Sequence, residues 1–520
     1  MGINGLWELL APAATTTSLH SLALTNRFRG AAPHAPYTIG VDVSIWFEQC
    51  QQSSWFRAHP RSGQNPALRS FIYRVAHLAR LPINVIFCYD GKERPTMKRN
   101  KKVLNLDHWM VRPTQRILDA FNIQWVMARS EAEAELSLMN KEGVIDAVMT
   151  DDSDAFVFGA QTVLQNSTLS SDDTVKIYTA DAIRQRVAPS LQREGFVLMA
   201  VCCGGDYDKT GLYGCGQSTA LGLVRCGLAH GLCSAVSDVL DVADSLCVWR
   251  RDVREHLACD PTQQIGRLYP ALAHTLPDTF PEPNIVTSYL HPVVTGVDKL
   301  PTLLGPQPPN VPALAALTQE LLGWEDPGKM LTMFQSTIWP AVVLKEMLLD
   351  LSRNSVESNE IQLATGCTRS AFLAFPRSRK VVLGISGTCV EVSTASFVGD
   401  TLSVMSAAAA QRCNDVKPGK LRVWVPDCIF KCWQDTMFPV SSPLAHVSQG
   451  ASSSSSSAPR LPSINVPLGS ANSSNTVDRF VPEGEVIDLC DESDFVLPPG
   501  PRFIDLTGVD AEVIDLTEDE

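Results

Sequence analysis

The sequence lacks the features by which a chain is exported, anchored or cross-linked. No run approaches the roughly 20 apolar residues that a membrane span needs, and the first residues lack the basic segment of a signal peptide. A myristoylation site needs Ser or Thr where this chain has Leu6. The 15 cysteines are scattered and form no C-x-x-C pair, which is typical of reduced thiols. These absences favour an intracellular protein.

Positive charge is scarce in only one part of the chain. Residues 441–520 hold 14 of the 56 acidic residues but three of the 43 basic ones, so most of the net charge of −13 lies there. The rest is nearly neutral, and the net charge therefore does not exclude a nucleic-acid partner. The same segment contains a serine run and too little apolar surface to fold. We predict a disordered acidic tail over 441–520.

An α/β pattern runs through residues 1–210, where strand-like runs alternate with amphipathic segments. The predicted strands are 37–44, 83–91, 122–128 and 146–152. Each ends at or beside a carboxylate, and the carboxyl ends of parallel strands meet at one edge of a sheet. The acids concerned are Asp42, Asp90, Glu131 and Asp152. We therefore expect four widely separated carboxylates to meet in one cleft.

Three further segments precede the tail. Residues 211–350 have a helical pattern, residues 351–367 are interpreted as a linker, and residues 368–440 contain β-rich runs. The β-rich runs of residues 368–440 predict a small β-rich domain.

The stretch SEAEAE at 130–135 has two interpretations. Ser130 and Glu133 have the spacing of a capping box, in which early glutamates also favour the helix dipole. Alternatively, since positions i and i+2 do not share a helix face, Glu131 and Glu133 converge only on something beyond the helix N-terminus. A divalent cation at that point would use both.

A second acidic stretch, TDDSD at 150–154, follows a buried-looking strand. In an extended chain Asp152 and Asp154 point to the same side. At least six carboxylates crowded at one sheet edge repel one another unless cations neutralise them. Oxygen ligands without a His or Cys cluster select Mg²⁺ or Mn²⁺. Two such ions about 4 Å apart suit phosphodiester hydrolysis, so the acids themselves point to nuclease chemistry.

Six motifs in order resemble the flap-endonuclease (XPG-like) superfamily of structure-specific nucleases, over residues 1 to about 230. They are MGINGLWELL, IGVDVS, YDGKERP, SEAEAE, TDDSDAFVFGAQTV and GGDYDKTGLYGCG. The stretch FVFGAQTVLQN is most similar to the Holliday-junction resolvase branch. The resemblance implies an α/β, PIN-like nuclease core.

The resemblance also implies roles for seven acids, all of which are present. Asp90, Glu131 and Glu133 would hold one Mg²⁺, and Asp152 and Asp154 a second, with Mn²⁺ as a substitute. Asp42 and Asp206 would act through water. Glu135 lies outside the family pattern, and we assign it to the helix surface.

DNA-binding residues are expected at three places. Gly214 and Gly216 form a turn ahead of a helix, where backbone N–H groups can approach a phosphate; by resemblance this is a helix-two-turn-helix element, often found with K⁺. Gln217 and Ser218 stand there in place of basic residues. Gly2 would by resemblance lie close to the scissile DNA. A basic run follows Asp90, containing Lys92, Arg94, Lys98, Arg99, Lys101 and Lys102.

This basic run has alternative interpretations as a solvated loop or a nuclear-localisation signal. Its position beside the predicted metal site favours phosphate neutralisation, and in the family the same place forms an arch. About fifteen residues separate Asp90 from the next helix, too few for an arch of two stable helices. We predict a short, open arch that admits branched duplex DNA.

The end of the chain repeats one theme three times, at 486–494, 503–510 and 513–520. Alternating apolar residues flanked by acids can add as a strand to a sheet edge, and these copies resemble SUMO-interaction motifs. Three copies suggest avidity for a multiply modified partner. The predicted SUMO-binding residues are Val486, Ile487, Leu489, Phe503, Ile504, Leu506, Val513, Ile514 and Leu516. Residues 368–440 sit where resolvases of this branch carry a chromodomain.

The leading hypothesis is a nuclear, Mg²⁺-dependent, structure-specific endonuclease that cuts Holliday junctions and 5′ flaps. Its partners would be branched duplex DNA and SUMO or SUMO-modified proteins, and it would be a monomer that dimerises on a junction. Two alternatives remain open at this stage: a 5′ flap endonuclease without resolvase activity, and a DNA-binding scaffold that cuts nothing.

Overall fold

A computed structural model describes residues 2–27, 36–52, 65–98, 101–103, 107–165, 173–237, 241–356, 372–405 and 419–437. Its strands are β1 Thr15–Ser18, β2 Tyr37–Asp42, β3 Ile83–Tyr89, β4 Met97–Lys98, β5 Lys101–Lys102, β6 Gln124–Met127, β7 Ala147–Met149, β8 Thr162–Gln165, β9 Thr174–Thr179, β10 Phe372–Val382, β11 Ile385–Ser393 and β12 Lys420–Pro426. The predicted disordered tail lies outside the described residues.

Helices of the first 203 residues surround the central sheet. They are α1 Leu6–Leu10, α2 Leu19–Arg27, α3 Val43–Gln52, α4 Pro66–Ala79, α5 Val111–Ala120, α6 Ala132–Lys141, α7 Asp154–Phe158, α8 Ala180–Arg186 and α9 Arg193–Cys203. The helices that follow are α10 Gln217–Arg225, α11 Leu228–Ser237, α12 Val242–Cys259, α13 Pro270–Thr275, α14 Pro283–Leu290, α15 Val311–Leu322, α16 Pro327–Thr337, α17 Trp339–Val356, α18 Ala395–Leu402 and α19 Asp427–Met437.

The central sheet has seven strands in the order β1-β9-β8-β7-β2-β3-β6. The five strands from β8 to β6 run parallel to their neighbours, whereas β9 pairs antiparallel with both β8 and β1. The four predicted strands are confirmed, although each is shorter than predicted at its carboxyl end. There the chain leaves the sheet and its polar side chains become available to a site. The predicted α/β class with a parallel-rich sheet is confirmed.

Two apolar cores flank the sheet, because successive residues of a strand point to opposite faces. Along β3, Val85 and Phe87 join one core, while Ile86 and Cys88 join the other. Burial on both faces explains why these strands read as continuous apolar runs rather than as alternating ones.

A long connection covers the exposed edge of strand β6. The Gln124 side chain donates to the carbonyl of Thr302 and accepts from the N–H of Leu304, at 3.1 and 3.0 Å. Asn122 donates to the carbonyl of Pro308 at 2.7 Å. These side-chain amides use the backbone groups of the connection in place of another strand, and the covered edge is protected from pairing with another chain. We call residues 291–310 the edge strap.

The small C-terminal region is less β-rich than predicted. Its three antiparallel strands have the order β10-β11-β12, but the predicted strand-like runs CVEVSTASFVG and KLRVWVPDCIF each turn into a helix, α18 and α19. The strand prediction was wrong there because Phe397 and Thr401, one helical turn apart, bury the same face of α18 against Trp339. Helix α17 continues to Val356, so the predicted linker begins within a helix.

Among the described residues, no single helix is long and apolar enough to cross a membrane; one pair bent by 80°, α10 with α11, passes the length and composition test jointly. The twelve described cysteines are all free thiols, in agreement with the predicted lack of disulfides.

Candidate metal centre

The sheet topology brings the predicted acids to one edge. Strand β2 lies between β3 and β7 and is parallel to both. Asp42 is the last residue of β2, Asp90 follows β3 directly, and Asp152 follows β7 after a short turn. Glu131 is the N-cap of α6 and has an extended backbone, so that Glu131 and Glu133 face the same edge. Asp206 arrives from the turn after α9.

Six of the seven acids are almost inaccessible to solvent, with exposed fractions of at most 5%. These are Asp42, Glu131, Glu133, Asp152, Asp154 and Asp206. The side chain of Asp90 is 25% exposed; its two oxygens accept hydrogen bonds from the Ser44 hydroxyl at 2.9 Å and the Ala132 N–H at 3.0 Å. Asp90 therefore joins the end of β3 to the positive N-terminus of α6.

Burial and mutual repulsion dominate the electrostatics of this carboxylate cluster. Burial, followed by the charge of Asp90, raises the pKa of Asp42 to about 7. Burial likewise raises the pKa values of Glu133, Asp152 and Asp154, with neighbouring carboxylates adding to the rise. Carboxylates that are this crowded favour a bound cation, since a cation removes both the repulsion and the cost of burying charge.

Lys98 places an ammonium group inside the cluster. Its Nζ lies 2.7 Å from Glu131 Oε1, 3.0 Å from Glu133 Oε1 and 2.8 Å from Asp206 Oδ2. Burial alone would lower the pKa of Lys98, but the surrounding carboxylates outweigh burial and hold this pKa well above its usual value. The ammonium therefore marks where the cluster attracts positive charge.

The donor set fits a hard divalent cation. One carboxylate oxygen from each of Glu133, Asp152 and Asp206 lies within 4.8 Å of the others. Asp154 Oδ1 is buried and accepts no hydrogen bond from the described residues, which is costly for a carboxylate without a cation nearby. No His or Cys belongs to the cluster, and oxygen-only donors suit Mg²⁺ or Mn²⁺.

Gly2 lies against this cluster. Its φ is +84°, and a Cβ atom there would lie 2.4 Å from Asp152 Oδ1 and 2.6 Å from Asp154 Oδ1. The next residue, Ile3, donates its N–H to the hydroxyl of Ser153 at 2.9 Å. The start of the chain is therefore packed onto the carboxylate cluster, where the sequence predicted Gly2 to lie close to the reacting DNA.

One expectation about the SEAEAE stretch was wrong, and its alternative interpretation as a capping box does not hold. Glu135 is not on the helix surface: it is 3% exposed, and its Oε2 accepts the N–H of Thr295 at 3.0 Å. It is buried because the edge strap passes over α6 at this point. The capping box does not form, since the helix begins one residue later and the N-cap is Glu131 rather than Ser130.

The structure describes residues 91–98 and 101–103 of the predicted arch. These residues contain the two-residue strands β4 and β5, paired as a hairpin, and no helix. Lys92 and Lys102 are exposed, and Arg94 Nη1 lies 3.7 Å from Asp90 Oδ2. Arg99 and the side chain of Lys101 lie outside the described residues.

The predicted helix-two-turn-helix turn precedes α10, with Gly214 at φ +86° and Gly216 as the N-cap. Gln217, where a basic residue is frequent, uses its amide to donate to the carbonyl of Asn4 at 3.2 Å. This contact links the turn to the start of the chain. Tyr213 projects from the turn and is 91% exposed. The nine predicted SUMO-binding residues lie outside the described residues.

Sequence reasoning missed two groups that contact the cluster. Lys98 was expected to face DNA, but its ammonium lies among the carboxylates. Tyr207 donates its hydroxyl to Glu131 Oε2. The signal for Tyr207 was its place directly after Asp206, in the GGDYD motif.

Comparison with known proteins supports the same assignment. Residues 1–104 match the XPG N-terminal domain, and residues 122–206 match the XPG I-region. The chain is 28% identical over 244 residues to flap endonuclease GEN homolog 1 of Mus musculus, a match that covers 43% of this chain and 25% of the relative. It is 33% identical over 255 residues to flap endonuclease GEN-like 1 of Arabidopsis thaliana, covering 43% and 39%.

Solved structures show the same fold. The Holliday junction-resolving enzyme GEN1 in complex with product DNA and Mg²⁺ aligns with a TM-score of 0.60 at 24% identity, covering 83% of this chain and 96% of the other. Human GEN1 in complex with Holliday junction DNA aligns with a TM-score of 0.54 at 20% identity, covering 84% and 96%. The matches to the curated relatives span less than half of those proteins. The resemblance inferred from the six motifs is confirmed.

Proposed function

We propose that this chain, whose first 206 residues carry the N-terminal and I regions of an XPG-type nuclease, is a structure-specific, Mg²⁺-dependent endonuclease that hydrolyses phosphodiesters in branched DNA. The observation that carries the proposal is the carboxylate cluster: six buried acids from four segments of the chain converge on one sheet edge, and three of them surround the ammonium of Lys98. Apolar residues would stabilise the fold better than so many buried carboxylates, so the cluster is not explained by a structural role.

We assign metal binding to the acids as the family resemblance implies. Asp90, Glu131 and Glu133 would hold one Mg²⁺ and Asp152 and Asp154 a second, with Asp42 and Asp206 acting through water. Two bound ions of this kind activate a water and stabilise charge on the attacking and leaving oxygens. In the reaction a water oxygen bonds to phosphorus and one ester P–O bond breaks, which leaves a phosphate monoester and a hydroxyl.

The chain's own residues would hold these groups in place. Asp90 is fixed by Ser44 and the start of α6, and Gly2 closes the cluster from the side of Asp152 and Asp154. Lys92, Arg94 and Lys102 of the arch and the turn at Gly214 and Gly216 would bind DNA phosphates, since these contacts set position without reading sequence. We also propose that this turn binds K⁺.

A short, open arch favours junctions and 5′ flaps entered sideways over threaded single strands. The relatives named above include an enzyme described as Holliday junction-resolving and others named as flap endonucleases. We propose both substrate classes for this chain, acting as a monomer on flaps and as a dimer on a four-way junction. The other candidates are a flap endonuclease without resolvase activity and a non-cutting scaffold.

Cleavage of flap, fork and four-way junction DNA, with Mg²⁺ compared with Ca²⁺, separates these candidates. We expect cutting with Mg²⁺ and binding without cutting with Ca²⁺. Flap cleavage with no symmetrical junction cleavage would support the flap endonuclease, and the absence of product from every substrate would support the scaffold.

Replacing Glu131 with Gln or Asp152 with Asn should abolish cleavage and leave junction binding largely intact, since each change removes a metal-ligand charge and no phosphate contact. Electrophoretic mobility shifts measured with the cleavage assay test both halves. Near-wild-type turnover in either variant would contradict the two-metal assignment.

We also propose a nuclear site of action, because the proposed substrate is branched chromosomal DNA. We further propose that the three tail motifs bind SUMO or SUMO-modified proteins and that residues 368–440 form a chromodomain-like module; the three-stranded sheet with its helix α19 supports the latter.

A further inference from the structure

Glu131 uses its two carboxylate oxygens for different partners. Oε1 lies 2.7 Å from the ammonium of Lys98, at the centre of the carboxylate cluster. Oε2 accepts a hydrogen bond from the hydroxyl of Tyr207. A carboxylate can rotate about its terminal torsion with little resistance. Among the described residues, the Tyr207 hydroxyl is the contact that fixes the plane of this carboxylate.

Tyr207 is itself held firmly. Its ring packs against that of Tyr289 with 4.6 Å between centroids, and Tyr289 lies under the adjacent turn, where a Cβ on Gly205 would meet the Tyr289 hydroxyl at 2.4 Å. The neighbouring Asp206 places its Oδ2 2.8 Å from Lys98 Nζ. One short turn therefore supplies a carboxylate to the cluster and, from the next residue, the hydroxyl that orients another.

We propose that Tyr207 is a positioning residue of the metal site, which fixes the plane of the Glu131 carboxylate so that one of its oxygens faces the cation position. The inference rests on the proposed function, because it needs a divalent cation at the cluster. Groups that hydrogen-bond to metal ligands commonly change metal affinity by about 10- to 100-fold when they are removed, and Glu131 has no other described hydroxyl donor on Oε2.

The test is the binding of Mn²⁺ to the full-length protein without DNA, measured by calorimetry or by loss of the free-ion EPR signal. Tyr207→Phe keeps the ring against Tyr289 and removes the hydroxyl, so the fold should persist. We expect Mn²⁺ affinity to fall by about 10-fold or more. The control is Tyr178→Phe, which removes a hydroxyl bonded to Gln165 between strands β8 and β9, keeps the ring, and should leave Mn²⁺ affinity unchanged.

A double-mutant cycle shows whether Tyr207 acts through Glu131. In a Glu131→Gln background, Tyr207→Phe should cause little further loss of Mn²⁺ affinity, because the carboxylate that it orients is already gone. Equal losses in both backgrounds would mean a general structural role and would overturn the proposal. Unchanged Mn²⁺ affinity in the single variant would overturn it as well.

Failure of the proposed function gives a different result. If the wild-type protein bound no Mn²⁺, or if Glu131→Gln left Mn²⁺ binding unaltered, the metal site itself would be wrong. A kinetic measurement adds a further check: Tyr207→Phe should raise the Mg²⁺ concentration needed for half-maximal cleavage more than it lowers the rate at saturating Mg²⁺. A loss confined to the saturated rate would contradict positioning of a ligand.

Discussion

Gly2 shows how closely the start of the chain is fitted to the chemistry. Its φ of +84° and the two aspartates within 2.6 Å of a Cβ position leave no room for a side chain. We predict that Gly2→Ala displaces Asp152 or Asp154 and lowers the cleavage rate by about 100-fold, since displacements near 1 Å have effects of that size. The cleavage assay under single-turnover conditions measures this.

A matched control separates crowding from backbone strain. Gly143 also has a left-handed backbone, with φ +73°, but a Cβ there meets nothing within 4 Å. Gly143→Ala should therefore cost some stability and leave cleavage unchanged. Equal effects of the two substitutions on cleavage would mean that the space beside the aspartates is not what requires glycine at position 2.

Glu135 illustrates what single residues do not reveal in a sequence. The alternating glutamates indicated Glu131 and Glu133 as metal ligands, and the structure places both in the carboxylate cluster, because strand ends and helix starts position them by simple geometry. The burial of Glu135 depends on the edge strap, which comes from residues far along the chain. No local pattern predicts a contact with Thr295, 160 positions away.

The same contact predicts how Glu135 responds to substitution. Glu135→Gln retains an oxygen that can accept the Thr295 N–H and should behave like the parent. Glu135→Leu leaves this partly buried N–H without a partner and should lower the free energy of unfolding by about 1 to 3 kcal/mol. Urea unfolding measures the difference; similar stability of both variants would show that the contact does not hold the strap.

At the scale of elements, strands β2, β3, β6 and β7 follow from apolar runs in the sequence. The polar strand β1, TTTS, has no such signal. The misassigned elements are α18 and α19, whose sequences are rich in β-branched and aromatic residues. Both helices are bonded to α17. Trp339 of α17 donates to Thr401 of α18 at 3.2 Å, and Trp433 of α19 donates to Asp350 of α17 at 3.0 Å. Tertiary contacts outweigh the weak local preference here.

Helix α17 is attached to the sheet through a buried lysine. Lys345 is 5% exposed, and its Nζ donates to the carbonyls of Leu81 and Ile83 at 3.0 and 2.5 Å. Burial lowers the pKa of Lys345 to about 7, whereas a lysine in an unfolded chain titrates near 10.4. Between these values the unfolded chain binds a proton that the folded protein does not, so stability increases with pH.

We therefore predict a Lys345-dependent gain in the free energy of unfolding from pH 7 to pH 10. Its size should be roughly 3 kcal/mol, below the full value of the shift because two carbonyls favour the ammonium. The contribution of Lys345 to the free energy of unfolding is fully present above the pKa that Lys345 has in the unfolded chain, and it is lost as the pH falls through 7. Urea unfolding of the parent and of Lys345→Met across this range isolates the effect; identical pH profiles would refute it.

At the scale of the whole molecule, recruitment and catalysis are expected to be separable. The carboxylate cluster draws on residues 2–206, which are distant in sequence from the tail. Truncation after Ser442 should leave cleavage of naked DNA intact and abolish retention on immobilised poly-SUMO, since three weak motifs act together. Replacing Ile487, Ile504 and Ile514 with Ala should have the same effect at full length.

Two results would contradict this separation. One is a truncated protein that no longer cuts naked DNA, and the other is a triple variant that still binds poly-SUMO as well as the parent. A single-SUMO column provides the control for avidity, because each motif alone should bind weakly.

The ammonium of Lys98 has a consequence for the whole enzyme. Because it already neutralises Glu131, Glu133 and Asp206, loading the site with a divalent ion is an ion exchange rather than a simple addition. Whatever draws the arch hairpin outward, a DNA phosphate included, makes that exchange easier. By reciprocity, a loaded site releases the hairpin for DNA by the same factor. If the proposed function holds, the metal ion and the substrate would share one lysine, and each would assist the binding of the other.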